Sequence, residues 1–169
     1  QISCAIKEGV IIQVKRGMFK LASFPWDHNS SFVEISKVSP QSVICLLSAL
    51  SYYDLSTVNP EEVYIAFPAR SYIIRIDRPP TRIFYFSGKL FTEGITNIKS
   101  KTGEFKIYSR EKTVCDVFRF RNRLGEDVAI EGLRNYLRSK QCNINELLRV
   151  AEVCRIKSVM IPYVKGIVQ

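Results

Sequence analysis

Few residues in this chain are arranged for nucleophilic catalysis. The sequence holds one histidine, His28, and no Gly-x-Ser-x-Gly elbow, so no Ser–His or Cys–His pair stands out. The eight glycines are scattered singly, and none belongs to a loop of the kind that cradles phosphate. His28 has no metal-ligating neighbour at helical or strand spacing, which favours an ordinary loop histidine. These observations predict a protein that is not an enzyme and needs no cofactor.

One set of residues has the spacing of a Mg²⁺-dependent nuclease. Glu104 and Lys106 lie two positions apart on a predicted strand, which places the carboxylate and the ammonium on one face. Asp77, upstream, would supply a second carboxylate for Mg²⁺. With 16 acidic residues in the chain, about one acid-x-Lys match arises by chance, and the sequence has one. The nuclease therefore stays an alternative.

The cysteines have no pattern of their own. There are five, an odd number, and none forms a C-x-x-C pair: Cys4, Cys45, Cys115, Cys142 and Cys154. A disulfide framework or a zinc site requires paired spacing, so neither is predicted. Most of the cysteines sit among apolar residues, as small core residues do. This usage indicates a reducing compartment, and we expect a cytoplasmic protein.

Basic residues near the start of the chain have the spacing of a hairpin. A β-branched run over residues 10–15 is followed by Arg16 and Gly17 and then by a second apolar run. Gly17 can take the positive φ of a tight turn, so Lys15, Arg16 and Lys20 are expected at or near the tip. A basic hairpin directly after a helix end is typical of the wing of a winged-helix domain, which contacts DNA phosphates. A plain surface hairpin explains these residues equally well.

A second basic group lies on two predicted helices. The spacing predicts one helix over 110–124 with an apolar face and an exposed face. The exposed face carries Lys112, Asp116, Arg119 and Arg123. On the next predicted helix Arg134 and Arg138 are one turn apart and exposed.

Arg121 is the exception on the first of these helices, because it falls in the middle of the apolar face. Either it forms a structural ion pair with Glu126 or Glu131, or it lines a cleft and contacts a phosphate. Glu131 is also close enough in sequence to neutralise Arg134 or Arg138.

The net charge of +9 is unevenly distributed. Residues 1–68 hold 5 basic and 6 acidic side chains, whereas residues 69–169 hold 20 and 10. A basic excess of this size predicts a polyanionic partner, with nucleic acid first and an anionic membrane surface second. No apolar run reaches the roughly 18 residues of a membrane-spanning helix, and no signal peptide is recognisable. We therefore expect no membrane segment.

The elements that must position these residues change in type along the chain. Residues 26–38 are expected to be a linker, and Ser39-Pro40 resembles the start of a buried helix reaching Tyr53. Period-two patterns then predict strands at 63–67, 72–76, 81–86, 90–98 and 104–108. Helices follow over 110–124 and 127–139, from Asn143, which has Glu146 in capping-box position, and from Ile156. This order indicates the α+β class.

Residues 109–137, SREKTVCDVFRFRNRLGEDVAIEGLRNYL, resemble the C-terminal domain of the AbiEi-type antitoxins of bacterial type IV (abortive infection) toxin–antitoxin systems. Supporting matches are GVIIQVKRGMF at 9–19, ICLLSAL at 44–50 and CRIKSVMIPY at 154–163. The resemblance covers nearly the whole chain. The 109–137 motif is its most specific part, because the hairpin is shared with many winged helices.

The resemblance implies an N-terminal winged helix-turn-helix and an α/β antitoxin domain with a mixed or antiparallel sheet and C-terminal helices. The helix-turn-helix would precede Cys4, so residues 1–25 are expected to hold a remnant of it, namely the end of the recognition helix and the wing. Residues 39–169 would be the antitoxin domain. Such proteins bind operator inverted repeats, repress their own operon and counter a nucleotidyltransferase-like toxin, in the usual description without a stable complex.

The sequence thus predicts a phage-defence antitoxin and transcriptional autorepressor. Lys15, Arg16 and Lys20 would contact DNA, and the antitoxin domain would add a basic surface carrying Arg119, Arg123, Arg134 and Arg138. Two alternatives stay open: the nuclease of Asp77, Glu104 and Lys106, and a protein-interaction module that does not bind DNA.

Overall fold

The computed structural model describes residues 29–71, 76 and 78–168, together with the backbone of residues 11–15 and 18–21. Several predictions fall outside these residues. They concern Cys4, Arg16, His28, Asp77 and nearly all of the strand expected at 72–76. They stay predictions.

The described residues contain seven strands in two sheets. β1 (Ile11–Lys15) and β2 (Met18–Leu21) pair with each other as an antiparallel hairpin. The other strands form a five-stranded mixed sheet and are β3 (Val43–Ile44), β4 (Val63–Pro68), β5 (Thr81–Phe86), β6 (Ile95–Ser100) and β7 (Gly103–Tyr108). Their order is β5-β4-β3-β7-β6. The β4/β5 and β3/β7 pairs are parallel, whereas the β3/β4 and β6/β7 pairs are antiparallel.

Most helices follow the sheet in the chain. The first three are α1 (Ser30–Val38), α2 (Leu46–Tyr52) and the single turn α3 (Lys89–Thr92). After β7 come α4 (Arg110–Arg119), α5 (Arg121–Leu124), α6 (Glu126–Arg138), α7 (Ile144–Val153) and α8 (Lys157–Val168). The predicted α+β class agrees with this architecture, and of the two sheet types expected, mixed or antiparallel, the sheet is mixed. No helix among the described residues combines the length and the apolar character that crossing a bilayer requires.

Two apolar cores lie on opposite faces of the five-stranded sheet. Successive side chains of a strand point to opposite faces, so Tyr64 and Ala66 join the large core under the C-terminal helices, while Ile65 and Phe67 join a smaller core. The smaller core is covered by α1, which contributes apolar side chains that include Phe32. Each apolar side chain buried in these cores loses its contact with water and so stabilises the folded state.

The linker expected at 26–38 is helical from residue 30 onward. Helix α1 buries one apolar side against β7, with Phe32 meeting Phe105 edge-on at 5.4 Å between ring centres. Its apolar positions, three and four residues apart, give it a face that the sheet can bury. The earlier part of the expected linker lies outside the described residues.

The helix expected to begin at Ser39-Pro40 begins later. Ser39 is the C-cap of α1, and Ser42 closes a turn by donating backbone and side-chain hydrogen bonds to the Ser39 carbonyl. Val43 and Ile44 then form β3, and α2 starts at Leu46. The prediction was wrong because Ser-Pro also ends helices, and because the β-branched pair Val43-Ile44 suits a central strand.

The strand expected at 90–98 is divided. Residues 89–92 form α3, Gly94 turns the chain with φ +70°, and β6 starts at Ile95. A Cβ at Gly94 would lie 2.8 Å from the Cβ of Lys112, so α4 packs where this glycine has no side chain. The strands expected at 63–67, 81–86 and 104–108 are confirmed within a residue.

Candidate nucleic-acid interface

The hairpin predicted near the start of the chain is present. Lys15 pairs with Met18 next to the turn, and Lys20 pairs with Ile12 further along, with a bulge between Gln13 and Lys15. A bulge increases the local twist of a two-stranded ribbon. Lys15 is thus beside the turn, whereas Lys20 is two residues beyond Met18. Arg16 lies outside the described residues.

The single helix predicted over 110–124 is two helices. Phe120 ends α4 and precedes α5, with φ −100° and ψ 13°. Its ring packs against Phe84, edge-on at 5.3 Å, and against Phe86, stacked at 5.8 Å. The break lets Phe120 reach β5 while the chain turns toward α6, so packing against the sheet overrides the helical periodicity.

Arg119 and Arg123 are exposed on either side of this break, as predicted. Lys112 and Asp116, expected on the same exposed face, are instead buried, with side chains 0% and 1% exposed. The prediction failed because α4 is covered on several sides, by α2, α6 and α7 as well as by the sheet. A helix surrounded in this way has no solvated face.

Lys112 and Asp116 form an ion pair within the core. The Lys112 ammonium lies 4.4 Å from the centre of the Tyr108 ring and 4.8 Å from that of Phe86. The Cys154 thiol donates to the Asp116 carboxylate at 3.8 Å. Burial raises the pKa of the Asp116 carboxyl, while the Lys112 charge acts in the opposite direction. Lys112 and Asp116 are thus inaccessible to a ligand, and they serve the fold.

A row of aromatic rings runs from this buried pair along β5 to Tyr64 of the neighbouring strand β4. Tyr108 contacts Phe86, Phe86 stacks on Phe120, and Phe120 contacts Phe84. Phe84 in turn stacks on Tyr64. We call these five rings the aromatic row. They belong to β4, β5, β7 and the α4–α5 junction.

Two arginines cover the outer end of the aromatic row. The guanidinium carbon of Arg123 lies 5.6 Å from the centre of the Phe84 ring, and that of Arg82 lies 5.7 Å from the centre of the Tyr64 ring. Arg82 also donates to the Tyr64 hydroxyl at 3.3 Å. Both arginines are exposed. No sequence motif pointed to Arg82, although its position two residues before Phe84 on a strand places it on the same face.

Arg134 and Arg138 are exposed on α6, as predicted. Glu131 is turned away from them: its two carboxylate oxygens accept hydrogen bonds from the Ser56 hydroxyl at 2.7 Å and the Thr57 amide at 3.0 Å. These bonds lower the pKa of Glu131. The prediction that Glu131 neutralises one of these arginines is therefore wrong.

Arg121 finds neither of the carboxylates proposed for it. It donates to the Phe118 carbonyl at 3.0 Å. Glu126 accepts a hydrogen bond from the Tyr163 hydroxyl of α8. The guanidinium of Arg121 thus completes the end of α4, where the last carbonyl groups lack helical partners.

Five exposed arginines of the sheet and helices have no ion-pair partner among the residues that the structure describes: Arg82, Arg119, Arg123, Arg134 and Arg138. Arg149 shows the alternative, because Glu93 and Glu146 accept from its guanidinium at 2.6–2.8 Å. A guanidinium without a carboxylate keeps its charge and its N–H donors available for an external anion.

Of the nuclease residues, Glu104 and Lys106 lie two positions apart on β7, as predicted, but each has a different partner. Glu104 pairs with Lys99 at 3.4 Å, and Lys106 donates to the Pro40 carbonyl at 3.0 Å. Asp77 lies outside the described residues. The described residues also hold no group of three or more metal-ligating side chains, and Cys45, Cys115, Cys142 and Cys154 are free thiols.

Neither a scan with models of known protein families nor a search among curated proteins finds a match to this chain.

Proposed function

We propose that this chain binds nucleic acid and acts as an antitoxin and transcriptional autorepressor of the AbiEi type. One observation carries the nucleic-acid part: exposed arginines on α4, α5 and α6 lack carboxylate partners among the described residues. The β1–β2 hairpin, with Lys15 beside its turn, supports a wing-like contact with phosphates. The antitoxin part rests on the resemblance of residues 109–137.

The nucleic-acid part is tested by measuring affinity for duplex DNA from upstream of the chain's own gene. Fluorescence anisotropy with the purified chain at several salt concentrations gives the dependence of log K on log salt. We expect binding at low salt and a linear fall as salt rises, because each phosphate contact releases counterions. No binding at low salt would contradict this part of the proposal.

Charge-reversal variants distinguish a phosphate contact made by the hairpin from a general effect of net charge on DNA affinity. Lys15→Glu is expected to weaken binding to all duplex sequences alike, because a phosphate contact carries no base information. Lys37→Glu is the matched control, since this exposed lysine of α1 gives the same change in net charge away from the hairpin. Equal losses in both variants would remove the hairpin from the interface.

The antitoxin part is tested by co-expression with the adjacent reading frame, which is expected to encode a nucleotidyltransferase-like toxin. Growth rescue by this chain supports the assignment. Failure to rescue growth rejects any antitoxin role. Rescue by a chain that binds no DNA would favour the protein-interaction module.

A further inference from the structure

We propose that Arg82 and Arg123 form a phosphate-binding pair that contacts a nucleic-acid backbone without reading its bases. The inference rests on the nucleic-acid binding proposed above. Arg82 lies on the strand β5 and Arg123 on the helix α5, and their guanidinium groups cover neighbouring rings of β4 and β5.

The backbone of β5 sets the position of Arg82. Side chains two apart on a strand share a face, so Arg82 precedes Phe84 and Phe86 on the face that the helices cover. Phe84 and Phe86 are buried beneath Phe120, whereas Arg82, at the start of the strand, is exposed. Arg123 comes from α5 and lies over the Phe84 ring.

The two guanidinium groups cover adjacent members of one aromatic stack. The Tyr64 and Phe84 ring centres are 5.7 Å apart, with 19° between the ring planes. Arg82 covers Tyr64 and Arg123 covers Phe84, at nearly equal distances. Two positive charges are therefore held over one pair of stacked rings, formed by neighbouring strands of the sheet.

Ring contact prepares these side chains for binding. A free arginine loses rotamer freedom when it binds an anion. Contact with an aromatic ring restricts the rotamers of each guanidinium group before any ligand binds. Arg82 is restricted further by its hydrogen bond to the Tyr64 hydroxyl. A guanidinium has five N–H donors, and Arg82 uses one of them on that hydroxyl. The others fit the oxygens of a phosphate in bidentate geometry.

The burial of the rings favours a backbone contact over base stacking. Tyr64 and Phe84 are 6% and 5% exposed. A nucleic-acid base therefore has no open π face on which to stack, and stacking is what single-strand binders use. Phosphate oxygens are the groups that remain for the guanidinium donors, so the contact is sequence-independent. The excess of basic residues after position 68 attracts such a polyanion at longer range.

The test compares Arg82→Gln/Arg123→Gln with Arg70→Gln/Arg155→Gln in the full chain. Arg70 and Arg155 are also exposed, so both variants lose two positive charges. Binding to a random-sequence duplex is measured by anisotropy over a salt series. We expect the slope of log K against log salt to fall by about 2 in the first variant, one for each lost phosphate contact. The control pair should leave the slope unchanged.

A lysine variant distinguishes the effect of the two positive charges on affinity from that of the planar guanidinium groups. Arg82→Lys/Arg123→Lys keeps both charges and removes the planar fork and its ring contact. It is expected to keep the salt slope and to bind more weakly than the unaltered chain. Affinity equal to that of the unaltered chain would contradict the preorganised guanidinium pair.

The outcomes distinguish this inference from the proposed function. If the unaltered chain binds no duplex at low salt, the proposed function fails. If it binds, but both glutamine variants have the same slope, only the Arg82–Arg123 inference is overturned. Displacement of the duplex by poly-L-glutamate at equal charge concentration would overturn the preference for phosphate and favour an acidic protein partner.

A spectroscopic measurement on the unaltered chain avoids any effect of substitution on folding. The side-chain Nε–H signals of Arg82 and Arg123, assigned by NMR, are followed while a short random duplex is added. Both signals are expected to shift together, ahead of that of Arg70. Signals that stay in place while the duplex binds would overturn the inference.

Discussion

Two sets of cations contact the same aromatic row and have opposite surroundings. Lys112 lies at the inner end, fully buried against Phe86 and Tyr108, with the Asp116 carboxylate beside it. Arg82 and Arg123 lie at the outer end, exposed, and form no ion pair among the described residues. An aromatic ring attracts a cation in either place, but only a counter-ion offsets full desolvation. The inner cation is therefore structural, and the outer ones are free to bind.

This difference changes how the motif at residues 109–137 is understood. Lys112 and Asp116 belong to this motif, the most specific part of the resemblance, yet both are within the core. Their contribution is to hold α4 against the sheet. The arginines available to a ligand include Arg82, which lies outside the motif altogether.

The largest expected effect comes from breaking the buried pair. Asp116→Asn leaves the Lys112 ammonium buried without a counter-ion, and we expect the free energy of unfolding to fall by about 3–5 kcal/mol. Asp127→Asn, the same change at an exposed position of α6, is the control and should cost far less. Denaturant unfolding measures both. A loss no greater than that of the control would mean that the pair contributes nothing to stability.

Replacing both members of the pair should cost less than removing one. Lys112→Met/Asp116→Leu leaves no buried charge, so we expect the double variant to be more stable than either single variant. A double-mutant cycle by denaturant unfolding gives the coupling free energy. Additive losses would show that the two side chains act independently.

The outer arginines should matter little for stability. Arg123→Gln removes one exposed cation–π contact, and we expect a loss of about 0.5–1 kcal/mol in the free energy of unfolding. The same variant should reduce the salt slope of duplex binding by about 1. A stability loss as large as that of Asp116→Asn would remove the contrast between the two ends of the aromatic row.

The smallest effect concerns a carboxylate held by neutral donors. The Ser56 hydroxyl and the Thr57 amide lower the pKa of Glu131 in the folded state. Its contribution to stability is therefore present above the unfolded-state pKa, about 4.3, and is lost as pH falls through the lowered folded-state value. Glu131→Gln should flatten this part of the acid dependence of the denaturation midpoint. An unchanged acid dependence would contradict it.

Much of the fold was predictable where pattern and burial agree. Asn143 accepts from the Glu146 amide as the capping pattern predicts, and β4, β5 and β7 lie within a residue of the strands that the sequence predicts. Ser39-Pro40 misled because the same dipeptide is compatible with a helix end and a helix start. This segment forms a strand because Val43 and Ile44 pair with residues of β4 and β7, and those residues are distant from them in sequence.

The candidate site was predictable only in part, for a related reason. Periodicity identified the exposed arginines of α4, α5 and α6, but it assigned Lys112 and Asp116 to solvent. How many sides of α4 are covered depends on α2, α6 and α7, and local spacing contains no such information. Arg82 was missed because its role depends on Tyr64, 18 residues away.

The five-stranded sheet is narrowest at its central strand, β3, which has two residues where the other strands have six. Among the described residues, the strand pairs β4–β5 and β6–β7 are joined by backbone pairing only through Val43 and Ile44, and the residues paired with these two are Ile65, Ala66 and Ile107. All five are completely shielded from solvent. Separating these two strand pairs would expose both apolar cores to water at once, so we expect the pairing at β3 to be lost only in cooperative unfolding. The backbone amides at this joint should then exchange with deuterium only when the whole domain unfolds, which makes them a direct gauge of its global stability.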